Sequence, residues 1–284
     1  MGVYLLTGAA GGIGKATVTE LGKREHDVIS VVRSSNDSSP GIMAADLSLM
    51  SEVNRIAAEL LSGRESLDGV LLNAGVAPAS MELTSEGIEC SFAVNHLGAF
   101  LLAHKLLPLL QNAEQGRIVL TGSSDHMSVT DASVDALARG DEWSYTGTYA
   151  RSKAVAMAAM LEMADRLRPA VPEEVDVPNY VLANVADPGW TRTGLTRNAP
   201  TSIRWLVRLG RPLQNRVRRS GRVLADLASE IEESGTYTGI KGPLTPSVLL
   251  RDENFCRKSY DDSVRLLVDR GFAQESEFLP QSPD

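Results

Sequence analysis

The chain has 284 residues, 43% of them hydrophobic and 23% charged, with a formal net charge of −8. This balance excludes disordered and fibrous classes and suits one large α/β domain, and the negative charge argues against a general affinity for nucleic acid or an anionic membrane surface. Cys90 and Cys256 are the only cysteines, and His26, His96, His104 and His126 show no HxxxH or Cys/His spacing, so neither a disulfide framework nor a metal site is expected.

The opening residues carry neither a basic leader nor a long apolar run, and no stretch of about 18 uninterrupted apolar residues occurs. The expectation is a cytoplasmic protein with no membrane anchor. Residues 3–6 form a short apolar run that ends in a glycine-rich turn, which opens onto an amphipathic stretch at 13–21: strand, loop, helix. The alternation recurs with an apolar run at 28–32, a helical pattern at 53–61, a strand at 69–72, a long helical pattern at 91–110, a strand at 118–120, a helix at 152–167 and a strand at 181–185. Strands alternating with helices imply parallel crossovers, hence a single-domain α/β fold: a doubly wound parallel sheet with helices on both faces.

Two segments break the rhythm. Residues 124–144 are polar and read as an inserted loop. Residues 190–222 read as a C-terminal substrate lid, with Trp205, Leu206 and Leu209 at helical spacing among Arg197, Arg204, Arg208, Arg211, Arg216, Arg218 and Arg219. These arginines suit either an anionic substrate or a solvated amphipathic helix.

The stretch TGAAGGIG lies directly after the first strand and opens the first helix, where Gly8, Gly12, Ile13 and Gly14 let backbone approach a pyrophosphate at a helix N-terminus. The second strand ends at Val32 without an acid, and Arg33 follows it. An arginine there pairs with the 2′-phosphate of NADP(H), so NADP(H) is expected in preference to NAD(H). Asp46, with Leu47 beside it, stands where it accepts from an adenine amino group or caps a helix.

The ordered pattern Thr7 to Gly14, Asn73-Ala74-Gly75, Ser123, and Tyr149 to Lys153 resembles the short-chain dehydrogenase/reductases and spans most of the chain. Val94-Asn95-His96-Leu97-Gly98 and Ser123-Ser124-Asp125-His126 look like retinol dehydrogenase-like members, whereas Asp187-Pro188-Gly189-Trp190-Thr191-Arg192-Thr193 looks like soluble carbonyl reductases. The resemblance implies a Rossmann fold and a catalytic set of Ser123, Tyr149, Lys153 and Asn95. It also implies cofactor contacts from Asn73, Ala74, Gly75, Tyr149, Lys153, Pro188, Gly189, Thr191 and Thr193, with Asn95 holding a relay water toward Lys153.

Tyr149 and Lys153 stand four residues apart on one helical face, so a nearby ammonium and a positive nicotinamide ring favour the phenolate for acid/base work. Ser123 falls at the carboxyl edge of the sheet, and Ser124 competes for its role. Tyr237 and Lys241 repeat the spacing among glycines and a proline, where no regular helix aligns them. Trp143 and Tyr145 suit either the substrate pocket or core packing.

The expected activity is interconversion of a carbonyl and an alcohol on a small organic substrate. Reduction of an activated C=C bond and a catalytically silent NADP-binding regulator stand as alternatives. A monomer or homodimer is expected.

Overall fold

The computed structural model describes residues 1–34, 39, 41–168, 180–189 and 217–280. In chain order the first half holds β1 (Val3–Thr7), α1 (Gly12–Gly22), β2 (Asp27–Val32), β3 (Ile42–Ala44), α2 (Met50–Gly63), β4 (Gly69–Leu72) and α3 (Cys90–Phe92). A π-helical turn (Ala93–Leu97) leads into α4 (Gly98–Lys105) and α5 (Leu107–Gln111), followed by β5 (Arg117–Thr121), a 3-10 turn (Ser124–Ser128) and α6 (Val134–Arg139). Then come α7 (Tyr145–Leu167), β6 (Leu182–Asp187), α8 (Val217–Ser229), β7 (Tyr237–Gly239), β8 (Gly242–Pro243) and α9 (Glu253–Asp269).

The described strands form one sheet in the order β3-β2-β1-β4-β5-β6-β7-β8, parallel throughout except where β8 turns back on β7. Alternation along each strand divides the core. Leu5, Val70, Leu72, Ile118 and Leu120 face the helices α2, α4 and α7, whereas Tyr4, Leu6, Leu71 and Val119 face α1 and α8. Full burial of such a side chain contributes about 1.5–3 kcal/mol, which fixes strand register on both faces. The chain runs outward from β1 through β2 to β3 and then crosses back to β4 on the other side of β1, and this reversal places a ligand crevice at the carboxyl ends of β1 and β4.

Several expectations change. The helical pattern at 91–110 is interrupted: a π turn occupies Ala93–Leu97, and α4 gives way at Leu106 before Pro108, which has no N–H to continue the ladder. The helix expected at 152–167 starts earlier, at Tyr145, because the Ser144 side chain caps it by accepting from Gly147 N at 3.2 Å. The insertion at 124–144 is not merely a loop. Its Val134, Leu137 and Ala138 are buried, which gives α6 an apolar face, and Ser133 and Gly140 close its two ends.

The lid expected at 190–222 falls largely outside the described residues, at 190–216, together with Thr191, Thr193 and Trp205. Its last part, 217–222, opens α8, whose Val223, Leu224, Leu227 and Ala228 are buried in the core shared with α1. Arg218 there pairs with Glu20 on α1 at 3.2 Å.

Candidate functional site

The glycine loop closes on itself. Gly8 has φ +67°, a conformation that disfavours side chains, and a Cβ on Gly14 would stand 2.3 Å from the Gly8 carbonyl oxygen. Gly11 leads into α1 with no side-chain cap and no acid in the first turn, so the helix N-terminus keeps its N–H groups for an anion. Gly12 is exposed and Ile13 half-buried. The loop is braced by β4: Asn73 N and Ala74 N both donate to Thr7 Oγ1, at 2.9 and 3.0 Å, and Asn73 Nδ2 donates to the Thr7 carbonyl at 3.0 Å. Asn73 is thus a strut for the loop, a role its position in the motif does not reveal.

Arg33 is exposed just past β2, and among the described residues it forms no ion pair. Asp46 is half-buried and its Oδ1 accepts from Ser48 N at 3.0 Å, an Asx turn rather than a helix cap. The cap of α2 comes from a distance, with the Glu86 carboxylate accepting from Met50 N and Ser51 N at 2.6 and 3.0 Å. Leu47 is buried, and a Cβ on Gly98 would come within 2.4 Å of its carbonyl oxygen.

Ser123, Tyr149 and Lys153 converge at the end of β5. Lys153 is buried and its Nζ donates to the Thr121 carbonyl at 2.8 Å. Loss of hydration pushes its ammonium down to about 8. Tyr149 is half-buried one turn earlier on α7, and its phenol interacts with the Ser123 hydroxyl. Ser124 is exposed and starts the 3-10 turn.

The phenol of Tyr149 is raised by its protein surroundings, and the expected lowering depends on Lys153 together with the positive nicotinamide ring. Burial raises Tyr149 most, the Asp125 carboxylate adds to it, Ser123 pulls back, and Asp187 and Tyr145 raise it further. The charged groups that raise it are carboxylates, Asp125 and Asp187.

Asn95 sits in the π turn, where Oδ1 accepts from Val76 N at 2.8 Å and Nδ2 donates to the Val76 carbonyl and to Ser152 Oγ, both at 3.0 Å. A Cβ on Gly75 would lie 3.4 Å from Asn95 Oδ1 and 3.7 Å from Lys153 Nζ, so this amide and this ammonium flank the same glycine. Pro188 and Gly189 follow β6. Gly189 N donates to Asp187 Oδ1 at 2.6 Å, and Ser220 on α8 donates to the Pro188 carbonyl at 2.9 Å.

Sequence reasoning missed the layer behind Ser123. His126 is fully buried, with Nδ1 donating to the Ser123 carbonyl at 2.7 Å and Nε2 accepting from Ser247 N at 3.3 Å. Its ring stands edge-on to Tyr237, 5.3 Å between centroids. Tyr237 is in β7, its hydroxyl donating to Asp187 Oδ2 at 2.5 Å, so the second Tyr/Lys pair does not share a helix. The one sequence signal for His126 is its spacing of three from Ser123, which suits a short 3-10 turn.

The chain matches the family model for short chain dehydrogenase over residues 2–203. It is 30% identical over 237 residues to "Retinol dehydrogenase 14" of Mus musculus, covering 75% of this chain and 66% of that protein, just under two thirds of its length. A structure described as a putative uncharacterized protein from Mycobacterium paratuberculosis superposes with a TM-score of 0.73, at 24% identity over 94% of this chain and 93% of that one. The 3-alpha-hydroxysteroid dehydrogenase from Pseudomonas sp. B-0831, complexed with NADH, superposes with a TM-score of 0.63, at 23% identity over 84% of this chain and 94% of that one. The chain belongs to the short-chain dehydrogenase family.

Proposed function

We propose that the protein is an NADP(H)-dependent oxidoreductase that interconverts a carbonyl and an alcohol on a small organic substrate. The observation that carries this reading is the convergence of Ser123, Tyr149 and Lys153 at the end of β5, beside the crevice entered by the glycine loop. The residues fit the cofactor: a side chain on Gly8 or Gly14 would clash with backbone, and the first turn of α1 has no acid to repel phosphate. Gly8, Gly12, Ile13 and Gly14 would hold the pyrophosphate and Arg33 the 2′-phosphate. Asp46 and Leu47 would lie toward the adenine, and Asn73, Ala74, Gly75, Pro188 and Gly189 would line the remaining length, with Thr191 and Thr193 assigned on sequence alone.

The bound cofactor supplies hydride exchange at its nicotinamide ring. Tyr149 gives its phenolic proton to the carbonyl oxygen in reduction and takes it back in oxidation. Ser123 donates to the same oxygen from the strand end. Lys153, anchored on the Thr121 carbonyl, holds positive charge behind the phenol and is available to ribose hydroxyls. Asn95, fixed by Val76 and Ser152, connects the Lys153 region toward solvent. The free thiols of Cys90 and Cys256 support a reducing compartment, and we assign the protein to the cytoplasm.

We also propose a monomer. Helix α9 lies along α7 and hydrogen-bonds to α4 and the π turn through Tyr260 to His104 at 2.7 Å and Ser263 to His96 at 2.6 Å, covering helices beside the active site. Light scattering should give the mass of one chain; a stable dimer would refute this.

Fluorescence titration with NADPH and with NADH tests the cofactor reading. NADPH should bind more tightly, and Arg33→Ala should remove about ten-fold or more of that preference. Absence of binding by either cofactor at millimolar concentration would end the dehydrogenase assignment.

A further inference from the structure

Tyr149 and Ser123 have acidic company that the hydride chemistry does not require. Asp187 reaches the site from the end of β6, but both of its oxygens are engaged, Oδ1 by Gly189 N and Oδ2 by the Tyr237 hydroxyl. Asp125 is different. It belongs to the exposed side of the 3-10 turn, and among the described residues its carboxylate forms no ion pair and interacts with the Ser123 hydroxyl.

The local hydrogen bonds say which proton is shared. Ser123 Oγ accepts from Asp125 N at 3.3 Å, so its hydroxyl hydrogen is what the Asp125 carboxylate and the Tyr149 phenol share. An incoming carbonyl oxygen needs that same hydrogen. The carboxylate therefore stands next to the point where the substrate oxygen arrives, held there by a short turn that His126 anchors from behind.

We propose that Asp125 is a specificity-determining residue: its carboxylate, placed beside Ser123 and Tyr149, selects uncharged or cationic carbonyl substrates against anionic ones and moves alcohol oxidation to more alkaline pH. The inference rests on the carbonyl-reducing reading of the site.

The charged and titratable groups around this carboxylate are His126 on the same turn, Asp187 from β6 and Tyr149 from α7. Facing Tyr149 are Asp125, Asp187 and Tyr145, with Lys153 one turn further along α7 and bonded to Thr121. Partial burial raises Asp125 above the usual carboxylate range, the Ser123 hydroxyl draws it back, and Asp187 raises it again. A carboxylate at this position repels a second anion placed beside it. Alcohol oxidation needs Tyr149 as phenolate, the form that a neighbouring carboxylate disfavours.

The test compares kcat/KM with NADPH for benzaldehyde, 4-carboxybenzaldehyde and 4-(trimethylammonio)benzaldehyde in the wild-type protein and in Asp125→Asn. The wild type should prefer the neutral and cationic aldehydes, and the variant should narrow the neutral-to-anionic ratio by about ten-fold. With NADP⁺ and benzyl alcohol, the rising limb of the variant's pH profile should lie at lower pH. An unchanged ratio together with an unchanged profile refutes the role of Asp125 while leaving carbonyl reduction intact. A wild-type protein that binds NADPH but reduces none of the three aldehydes counts against both. Should the variant fail to fold, the wild-type ratio is measured in low and high salt: screening should shrink it, and indifference to salt refutes the proposal.

Discussion

The imidazole of His126 donates from Nδ1 to the carbonyl oxygen of Ser123 at 2.7 Å, and its other nitrogen accepts from the backbone N–H of Ser247. The ring thereby pins the strand-end serine to the loop before the 3-10 turn Leu249–Arg251, a contact between segments 121 residues apart. His126 touches no reacting atom in this arrangement; it positions Ser123. Replacing it by leucine should lower kcat by about ten-fold or more while NADPH affinity changes little. Asn offers a donor near the place of Nδ1, so His126→Asn should restore part of kcat. Equal damage from Leu and Asn would argue that the ring matters only as packing.

Tyr149→Phe removes one hydroxyl from a half-buried ring and leaves the glycine loop untouched. Turnover should fall by about 10²–10⁴-fold, the range of a lost proton donor. Cofactor titration should be nearly unchanged. Retained turnover would transfer the acid/base role to another group, and Tyr145 would be the first to examine because it lies on the same helix and acts on the same phenol.

Lys153 exposes a conflict between stability and chemistry. Its ammonium is buried and driven from 10.5 to about 8, with the Thr121 carbonyl as its hydrogen-bond acceptor. Because the folded value is lower, the unfolded state binds more protons between about pH 8 and 10.5, and stability rises with pH across that window. Below pH 8 the burial penalty is present in full, on the order of 3 kcal/mol from a shift of that size. Lys153→Met should therefore raise Tm by a few degrees at pH 7 while abolishing turnover, and the gain should fade toward pH 10. A drop in Tm would show that the Thr121 hydrogen bond outweighs desolvation.

The parallel sheet was legible because its central strands are nearly continuous apolar runs: the strand expected at 69–72 is β4 itself, and residues 118–120 form the middle of β5. The glycine loop and Tyr149 to Lys153 were legible because backbone approach and helical spacing are local demands. The start of α7 was not, since Thr146, Gly147 and Thr148 interrupt apolar periodicity and the helix there depends on the Ser144 cap. The layer made by His126, Ser247, Tyr237 and Asp187 was hidden for another reason. Its members come from four separate segments, and only the closing of β7 onto β6 brings Tyr237 to Asp187.

Two buried histidines make the C-terminal helix sensitive to acid. His96 on the π turn and His104 on α4 both face α9, where burial lowers them to about 3 and about 4. His104 donates from Nδ1 to the Phe100 carbonyl at 2.8 Å and takes the Tyr260 hydroxyl on Nε2 at 2.7 Å, so its acceptor nitrogen has no room for a proton. His96 uses Nε2 toward Ser263. Folded values below the ordinary 6.5 mean that the unfolded chain binds more protons as pH falls. Their contribution is complete above about pH 6.5 and is lost progressively toward pH 4 for His104 and pH 3 for His96. At pH 5.5 the loss is about 1.4 kcal/mol for each, ahead of most carboxylate protonation. Thermal melts from pH 7.5 to 5 should thus show a falling Tm with uptake of about two protons on unfolding. His104→Gln keeps a polar partner for Tyr260 without titrating in this range, so it should roughly halve the slope. A slope that stays the same would place the acid sensitivity outside this contact between α4 and α9.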